Sequence, residues 1–291
     1  MRVAAFAPVS LVTLLRLGRV SNLPTVWTNV LAGAVLAGAD WHDWLLGAVL
    51  LAMSLFYVGG MYLNDYFDRA IDARERPERP IPSGAIVAGA VAAIGFGLLA
   101  AGAAMMAGMG TAAIATSALL AAAIVTYDLH HKGNPFAPLV MGVCRALVYC
   151  AAAAALTGNV PPFVIVSAAA VAAYVSGLTY AAQQENLDRV GKLWPLLLLA
   201  APLAVAIGAM QYTPGAVAVY TFFAAWIAAA IYLLARRPYA GSVPRAVGWL
   251  IAGISLADAA LLASVGAMLP ALAAEIGFLA TLVFQKYIAG T

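Results

Sequence analysis

The chain has 291 residues, of which 65% are hydrophobic and 9% are charged, and its formal net charge is +3. This composition excludes a soluble domain, because a soluble chain of this length does not need so much apolar surface. Apolar runs of about twenty residues recur without alternation, which predicts a polytopic α-helical membrane protein rather than a β-barrel. The basic residues fall in short loops, where they act as topology signals, and we expect no nucleic acid partner.

Ten apolar segments are predicted to cross the membrane. The last two could instead be one span and a re-entrant piece, so the predicted number of spans is nine to ten. They lie at 24–39, 43–64, 85–107, 111–128, 136–157, 161–183, 193–211, 214–235, 245–266 and 270–288. We therefore expect an all-α helical bundle formed by one integral membrane domain over residues 1–291. The stretch before the first segment carries Arg16 and Arg19, and it is predicted to form an interfacial helix in preference to a cleaved signal peptide.

The positive charges of the loops follow the even-numbered segments. They are Arg69, Arg74, Arg76 and Arg79 after the second, Lys132 after the fourth, Arg189 and Lys192 after the sixth, and Arg236, Arg237 and Arg245 after the eighth. Because positive loops stay inside, this alternation predicts a cytoplasmic N-terminus and cytoplasmic even-numbered loops. We expect a protein of the bacterial inner (cell) membrane whose polar clusters face the cytoplasm.

The second apolar segment ends in the densest group of charges, Asn64-Asp65-Tyr66-Phe67-Asp68-Arg69-Ala70-Ile71-Asp72. Spacings of three and four residues place Asp65, Asp68 and Asp72 on one face of a helix, along about 10 Å of its axis. Carboxylate oxygens in such an array suit Mg²⁺ that carries a phosphate-rich partner. A solvated helix cap is the poorer explanation, because a cap does not need acids repeated over two turns.

The sixth segment ends in a second polar cluster, Gln183-Gln184-Glu185-Asn186-Leu187-Asp188-Arg189. Gln184 and Asp188 are four residues apart, and Glu185 and Asp188 are three apart, so both pairs can share a helix face. If the two cytoplasmic helix ends face each other across a cavity, their oxygens can hold Mg²⁺ and a diphosphate between them. For this second cluster alone, a solvated helix cap explains the residues equally well.

The run Asn64-Asp65-x-x-Asp68-x-x-x-Asp72, with the later turn Arg79-Pro80-Ile81-Pro82-Ser83-Gly84, closely resembles the UbiA superfamily of intramembrane prenyltransferases. That family has an NDxxDxxxD helix end followed by an RPxxSG turn. The resemblance extends along nearly the whole chain, because the second cluster lies where the family has its second aspartate motif. It implies a helical bundle around a central cavity and Mg²⁺-dependent transfer of a prenyl group from a prenyl diphosphate to a hydrophobic acceptor in the bilayer, which in this family is often an aromatic ring.

The resemblance also implies roles for single residues. Asp65, Asp68 and Asp188 are the expected catalytic residues, and the expected metal ligands are Asn64, Asp65, Asp68, Asp72, Asp188 and Glu185. Arg79 and Lys132 are expected to pair with phosphate oxygens. The other expected substrate-binding residues are Tyr127, Asn22, Gln184 and Arg145. Tyr127 lies where the family has a Tyr after the fourth span, and Asn22 follows Arg19 in an Arg-x-x-Asn pattern.

Arg145 and Asp258 are charges placed inside apolar segments, and such charges are candidates for functional sites. Arg145 is predicted either to contact the diphosphate or acceptor, or to form a structural link with Asp258 or a carbonyl. The structural role is the preferred interpretation for Asp258.

One position departs from the family pattern, because the second motif is usually DxxxD and this chain has Gln184 in place of its first acid. Glutamine is a weaker metal ligand than a carboxylate, and Glu185 is rotated by about 100° on a helix. A catalytically altered family member that binds an isoprenoid lipid is therefore an alternative, and a membrane transporter is a further one. Quinone precursors, tetrapyrroles and lipid alcohols all remain open as acceptors.

Overall fold

The computed structural model describes residues 10–184, 191–209 and 211–290. Within these ranges the chain forms eleven α-helices and no strand. The helices are α1 (Leu11–Leu17), α2 (Leu23–Leu36), α3 (Trp44–Glu75), α4 (Ala88–Ala107), α5 (Thr111–His130), α6 (Ala137–Thr157), α7 (Pro162–Ala182), α8 (Ala201–Gly208), α9 (Pro214–Arg236), α10 (Ser242–Ala263) and α11 (Met268–Phe284). A 3₁₀ turn at Trp194–Ala200 leads directly into α8. The predicted all-α membrane fold is confirmed.

Helical structure is present in each of the ten segments predicted to cross the membrane. Seven helices in the described ranges are long and apolar enough to do so, namely α3, α4, α5, α6, α7, α9 and α10. The helix α2 has 14 residues, and the helical stretches Trp194–Gly208 and Met268–Phe284 are also shorter than a full span. The total of nine to ten spans therefore stays a prediction. The predicted interfacial helix corresponds to α1, which begins after Ser10, whose Oγ accepts a hydrogen bond from Thr13 N.

The helix α3 is much longer than a membrane crossing requires. It begins after Asp43, whose side chain accepts a hydrogen bond from Leu45 N, and it continues for 32 residues. At 1.5 Å per residue its first twenty residues cover about 30 Å, the thickness of the hydrocarbon core. Its remaining turns, which carry Asp65, Asp68 and Asp72, therefore extend beyond that core without a break in the helix.

The centre of the bundle is formed by α10, which packs against α2, α7, α8, α9 and α11. All residues from Ala252 to Ser264 are buried, including the polar Ser255 and Asp258. On one side lies a core cluster built from α2 to α6, and on the other a cluster built from α2 and α6 to α11. The helices α2 and α6 belong to both clusters and hold the two halves together.

The closest crossing near the polar end of α3 is its contact with α4. A Cβ atom built on Gly59 would lie 2.9 Å from the carbonyl oxygen of Gly95, and one built on Gly95 would lie 2.8 Å from Leu63 Cγ. Real Cβ atoms essentially never come this close to other atoms. Glycine at both positions therefore allows the two backbones to pack in direct contact.

Candidate functional site

The three aspartates of α3 lie on one buried face and make ion pairs with cationic side chains. We call Asp65, Asp68 and Asp72, with the cations that they contact, the mouth cluster. Arg79 Nη1 lies 2.8 Å from Asp72 Oδ2 and 3.4 Å from Asp65 Oδ1, so one guanidinium bridges two carboxylates. Arg19 Nη2 approaches Asp65 Oδ1 at 3.2 Å from the turn between α1 and α2. The predicted array of acids on one helix face is therefore matched by an array of cations.

The middle aspartate contacts the end of α5. Asp68 Oδ2 lies 3.3 Å from His131 Nε2 and 3.4 Å from Lys132 Nζ. The ring of His131 stacks on the ring of Tyr127, with centroids 4.9 Å apart. Tyr127 and Lys132 were predicted from the sequence as site residues, whereas His131 was not. Its position four residues after Tyr127 could have identified it, because residues at that spacing share a helix face.

Asn64 connects the mouth cluster to a buried acid of α5. Its Oδ1 accepts a hydrogen bond of 3.2 Å from Arg19 Nη2, and its Nδ2 donates one of 3.2 Å to Asp128 Oδ1. Asp128 is 4% exposed, and its Oδ2 has no hydrogen-bond partner among the described residues. Asp128 was not predicted from the sequence, although an acid next to Tyr127 in an apolar segment is a signal of function.

Two adjoining hollows lie behind the mouth cluster. The larger one, the polar cavity, has a volume of about 260 Å³, and its polar lining residues include Asn64, Asp68, Arg79, Tyr127, His131 and Lys132. The smaller one, the apolar chamber, measures about 70 Å³ and is lined mainly by residues such as Val26, Met53, Phe56, Leu120, Ile124 and Val148. Five residues line both spaces, namely Tyr57, Met61, Tyr127, Met141 and Arg145. A charged end and an apolar end are thus placed next to each other.

Asp65 lines a different opening beside the polar cavity. This opening has a volume of about 570 Å³ and is bordered by Arg16, Arg76 and Glu78 in addition to the mouth cluster. Arg19, Arg76 and Arg79 line both this opening and the polar cavity. The region around the three aspartates is therefore surrounded by arginine side chains on two sides.

Arg145 is held by a hydrogen-bonded network in the interior of the bundle, which we call the core network. Its Nη1 donates to Asn29 Oδ1 at 2.9 Å, and Asn29 Nδ2 donates to both carboxylate oxygens of Asp258, at 2.9 and 2.8 Å. Tyr149 also donates its hydroxyl proton to Asp258. The predicted link between Arg145 and Asp258 therefore exists through an inserted amide, and Arg145 at the same time borders both hollows.

The remaining predicted site residues have other contacts. Asn22 lines the polar cavity, donates to the Gly290 carbonyl at 2.9 Å and accepts from Gln285 Nε2 at 3.1 Å. The Gln184 side chain accepts a hydrogen bond of 2.6 Å from Gly191 N and donates one of 3.2 Å to the Tyr180 carbonyl. Glu185 and Asp188 lie outside the described residues, so their predicted roles stay predictions.

Comparison with protein families gives a match to the UbiA prenyltransferase family over residues 26–240. Among curated relatives, the digeranylgeranylglyceryl phosphate synthase of Methanopyrus kandleri is 32% identical over 129 residues, which cover 44% of this chain and 46% of that protein. The synthase of the same name from Natronomonas pharaonis is 35% identical over 127 residues, or 44% and 42% of the two chains. The matches thus span about half the length of these relatives.

Solved structures share the fold at low sequence identity. The apo structure of a UbiA homologue from Aeropyrum pernix K1 has a TM-score of 0.64 and 19% identity, and the match covers 83% of this chain and 98% of that one. A UbiA homologue from Archaeoglobus fulgidus, bound to GPP and Mg²⁺, has a TM-score of 0.60 and 13% identity, with 86% and 99% covered. At these identities the likeness concerns the arrangement of helices alone.

Proposed function

Because the chain belongs to the UbiA prenyltransferase family, we propose that it transfers a prenyl group from a prenyl diphosphate to a hydrophobic acceptor within the membrane, in a Mg²⁺-dependent reaction. The observation that carries the proposal is the polar cavity, which borders the charged mouth cluster on one side and the apolar chamber on the other. A prenyl diphosphate has the same division into a charged head and an apolar tail.

The mouth cluster supports the diphosphate end of this proposal. Its three aspartates are paired with three permanent cations, Arg19, Arg79 and Lys132. The side chains of these cations are long and keep some exposure, 47% for Lys132, 19% for Arg19 and 17% for Arg79, so phosphate oxygens could replace their carboxylate partners. Arginine forks bind phosphate oxygens with two parallel hydrogen bonds, while the carboxylates that they release become available to a metal.

The donor set of the mouth cluster fits Mg²⁺. The ion prefers hard oxygen ligands, takes one or two carboxylates, and completes its shell with water and phosphate oxygens. Among the described residues no three His, Cys, Asp or Glu side chains lie close enough together to hold one ion, so the protein would supply one or two carboxylates to each ion. These would come from Asp65, Asp68 and Asp72, with the Asn64 amide oxygen as a further ligand, and the charge of the metal would stabilise the diphosphate as it leaves. A UbiA homologue from Archaeoglobus fulgidus that shares this arrangement of helices binds GPP and Mg²⁺, which supports a Mg²⁺-dependent use of a prenyl diphosphate.

The apolar chamber supports the other half of the reaction. An allylic carbocation is captured by water unless water is excluded, and a wall of Phe, Met, Leu, Ile and Val side chains excludes it. Tyr57 and Tyr127 lie where the two hollows meet, and their ring faces could stabilise positive charge there. The relatives' name points to a lipid acceptor, which is one of the classes that the sequence left open.

We also propose that the mouth cluster faces the cytoplasm of a bacterial inner membrane, because the positive loops lie at the same end of the helices. The chain would act as one unit, since its polar cavity is lined by residues as distant in the sequence as Arg19 and Gly290.

A family member that binds an isoprenoid diphosphate without turnover is the second candidate function. The observation that favours it is Gln184, whose amide is engaged in hydrogen bonds to the backbone.

One assay separates the candidates. The purified protein is incubated with radiolabelled geranylgeranyl diphosphate, with or without Mg²⁺, and with aromatic acids, tetrapyrroles and lipid alcohols as acceptors. Release of pyrophosphate that requires Mg²⁺, with label appearing in an acceptor, supports the prenyltransferase. Tight binding of the diphosphate without release supports the second candidate, and the absence of both binding and release contradicts the proposal.

A further inference from the structure

A further opening lies between the beginning of α10 and the end of α11. Its volume is about 670 Å³, within the range of about 300–1,000 Å³ that is usual for ligand sites. Its charged lining residues are Arg245 from α10 and Lys286 from the turn after α11, and none of the described residues that line it is Asp or Glu. We call it the basic opening, because a concave surface with two cations and no acid attracts anions.

The two cations extend from neighbouring positions in space. Arg245 and Gly248 are three residues apart on α10, so they lie on the same helix face. A Cβ atom built on Gly248 would lie 3.5 Å from Gln285 Oε1, and Lys286 is the residue that follows Gln285. Both cations therefore start within about one helical turn of the same contact. Their long side chains can reach different atoms of one ligand that occupies the opening.

Neither cation is neutralised by an acid in the described part of the chain. The Arg245 guanidinium donates a hydrogen bond of 3.0 Å to Tyr239 Oη and lies 5.1 Å from the centroid of the Tyr239 ring. The Lys286 ammonium has no hydrogen bond or ion pair with the described residues. Each cation of the mouth cluster, in contrast, contacts an aspartate. An anion that enters the basic opening therefore displaces no carboxylate.

The basic opening lies where the exposed apolar surface of α11 ends. Val283 and Phe284 are 46% and 43% exposed, and they are the last two residues of α11 before the turn that carries Lys286. Trp249, one turn after Arg245, also lines the opening, and tryptophan is enriched at the boundary between membrane and water. Basic pockets between membrane helices at this level bind the headgroups of anionic lipids.

We propose that the basic opening binds the headgroup of an anionic bilayer phospholipid, with the phosphate between Arg245 and Lys286 and the acyl chains along the exposed apolar face of α11. A phospholipid has the same order of groups, an anion next to apolar chains. The lipid is a bound ligand and is not consumed. This inference does not depend on the proposed transferase function, because none of its residues belongs to the mouth cluster.

A bound headgroup would also fix the turn after α11 against the rest of the bundle. Gly290, shortly after this turn, lines both the basic opening and the polar cavity. Its carbonyl oxygen accepts a hydrogen bond of 2.9 Å from Asn22 Nδ2, and Asn22 Oδ1 accepts one of 3.1 Å from Gln285 Nε2. The lipid would therefore stabilise a segment that separates the two spaces.

Native mass spectrometry measures the retained lipid directly. The full chain in detergent is titrated with dioleoyl phosphatidylglycerol, or with dioleoyl phosphatidylcholine as a zwitterionic lipid with the same acyl chains, in the absence of Mg²⁺ and prenyl diphosphate. We expect the wild type to prefer phosphatidylglycerol, and the preference should weaken as the salt concentration rises. Arg245→Gln and Lys286→Gln should each weaken this binding by about five-fold and together by about 30-fold, as expected for cations at a lipid surface.

The matched control is the double variant Arg74→Gln/Lys192→Gln, which should bind phosphatidylglycerol as the wild type does. It also removes one arginine and one lysine, and both residues are exposed and do not line the basic opening. Gly248→Leu tests the opening without a change of charge. Its Cβ atom would meet only Gln285 Oε1, at an ordinary contact distance, so the larger side chain can extend into the opening and should weaken the binding of phosphatidylglycerol. Melting in detergent verifies the fold of each variant, and the charge variants and the steric variant report on the site separately.

Four results would overturn the proposal. They are equal retention of the two phospholipids by the wild type, wild-type retention by the double variant Arg245→Gln/Lys286→Gln, an equal loss in the matched control, and displacement of the lipid by an excess of inorganic phosphate, which would indicate a site for small anions. The transferase proposal is tested by pyrophosphate release, so it stands or fails independently of these results.

Discussion

The mouth cluster and the core network both bury aspartates within the bundle, but they pair them in different ways. In the mouth cluster, Asp68 and Asp72 contact Lys132 and Arg79, whose long side chains come from loops or helix ends. In the core network, Asp258 is fully buried and receives its hydrogen bonds from Asn29 and Tyr149, which have short or rigid side chains. Both arrangements satisfy the carboxylates, yet only the first uses partners that can move away.

This difference separates carboxylates that we propose to bind ligands from one that supports the fold. The ion pair of Asp68 with the half-exposed Lys132 contributes little to stability, and in the more buried pair of Asp72 with Arg79 a metal and a phosphate could take the place of the two partners. A network of neutral donors around a buried carboxylate cannot be exchanged, because each released group would remain unpaired in the interior. Arg145 connects the two regions, since it is fixed by the core network and borders the polar cavity.

The largest effect is expected for Asp68→Ala in the mouth cluster. The substitution removes a proposed ligand of Mg²⁺ and should lower pyrophosphate release by at least about 10³-fold. Its partner Lys132 can turn to solvent, while the mostly buried His131 loses a hydrogen-bond partner, so the free energy of unfolding in detergent should fall by no more than about 1–3 kcal/mol. Normal turnover by this variant would show that the first aspartate motif is not the metal site.

Substitutions in the core network are expected to change the stability of the protein in place of its chemistry. Asp258→Ala leaves Asn29, Tyr149 and, through Asn29, Arg145 without their anion, and we expect a loss of about 3–5 kcal/mol in the free energy of unfolding. Asp258→Asn should lose less, because the amide retains a hydrogen-bond acceptor. Thermal melting in detergent measures both variants. Equal stability of Asp258→Ala and the wild type would remove the distinction between the two regions.

A smaller effect on substrate binding is expected for Arg79. Arg79→Gln removes the guanidinium that bridges Asp65 and Asp72, and the KM for geranylgeranyl diphosphate should rise by about 10-fold, the usual loss of a charge-assisted hydrogen bond. Arg79→Lys should recover only part of this loss, since an ammonium cannot form the planar fork. An unchanged KM would assign Arg79 to the structure of the loop alone.

The smallest effect is expected at the position that departs from the family motif. The Gln184 amide accepts a hydrogen bond from Gly191 N and donates one to the Tyr180 carbonyl, so it stabilises the backbone of the turn. Gln184→Asp should therefore change the rate and the Mg²⁺ requirement by no more than about two-fold, as most substitutions outside special sites do. A clear gain in Mg²⁺ affinity would instead identify residue 184 as a metal position.

The sequence allowed the prediction of what depends on local patterns. Apolar runs located the helices, and the spacing of Asp65, Asp68 and Asp72 predicted one helix face, because both follow from the geometry of a single helix. The pairing of His131 with Asp68, and of Asp128 with Asn64, joins α5 to α3 and depends on how those helices pack. Asn29 illustrates the same limit, because its place between Arg145 and Asp258 requires three helices to meet.

The contact of Gly59 with Gly95 has a consequence for how substrates reach the interior. These backbones pack in direct contact, and α3 is one unbroken helix from Trp44 to Glu75. We therefore expect the carboxylates of α3 to keep their places relative to α4 while a substrate enters and leaves. The long side chains of Arg79 and Lys132 would then make the larger adjustment.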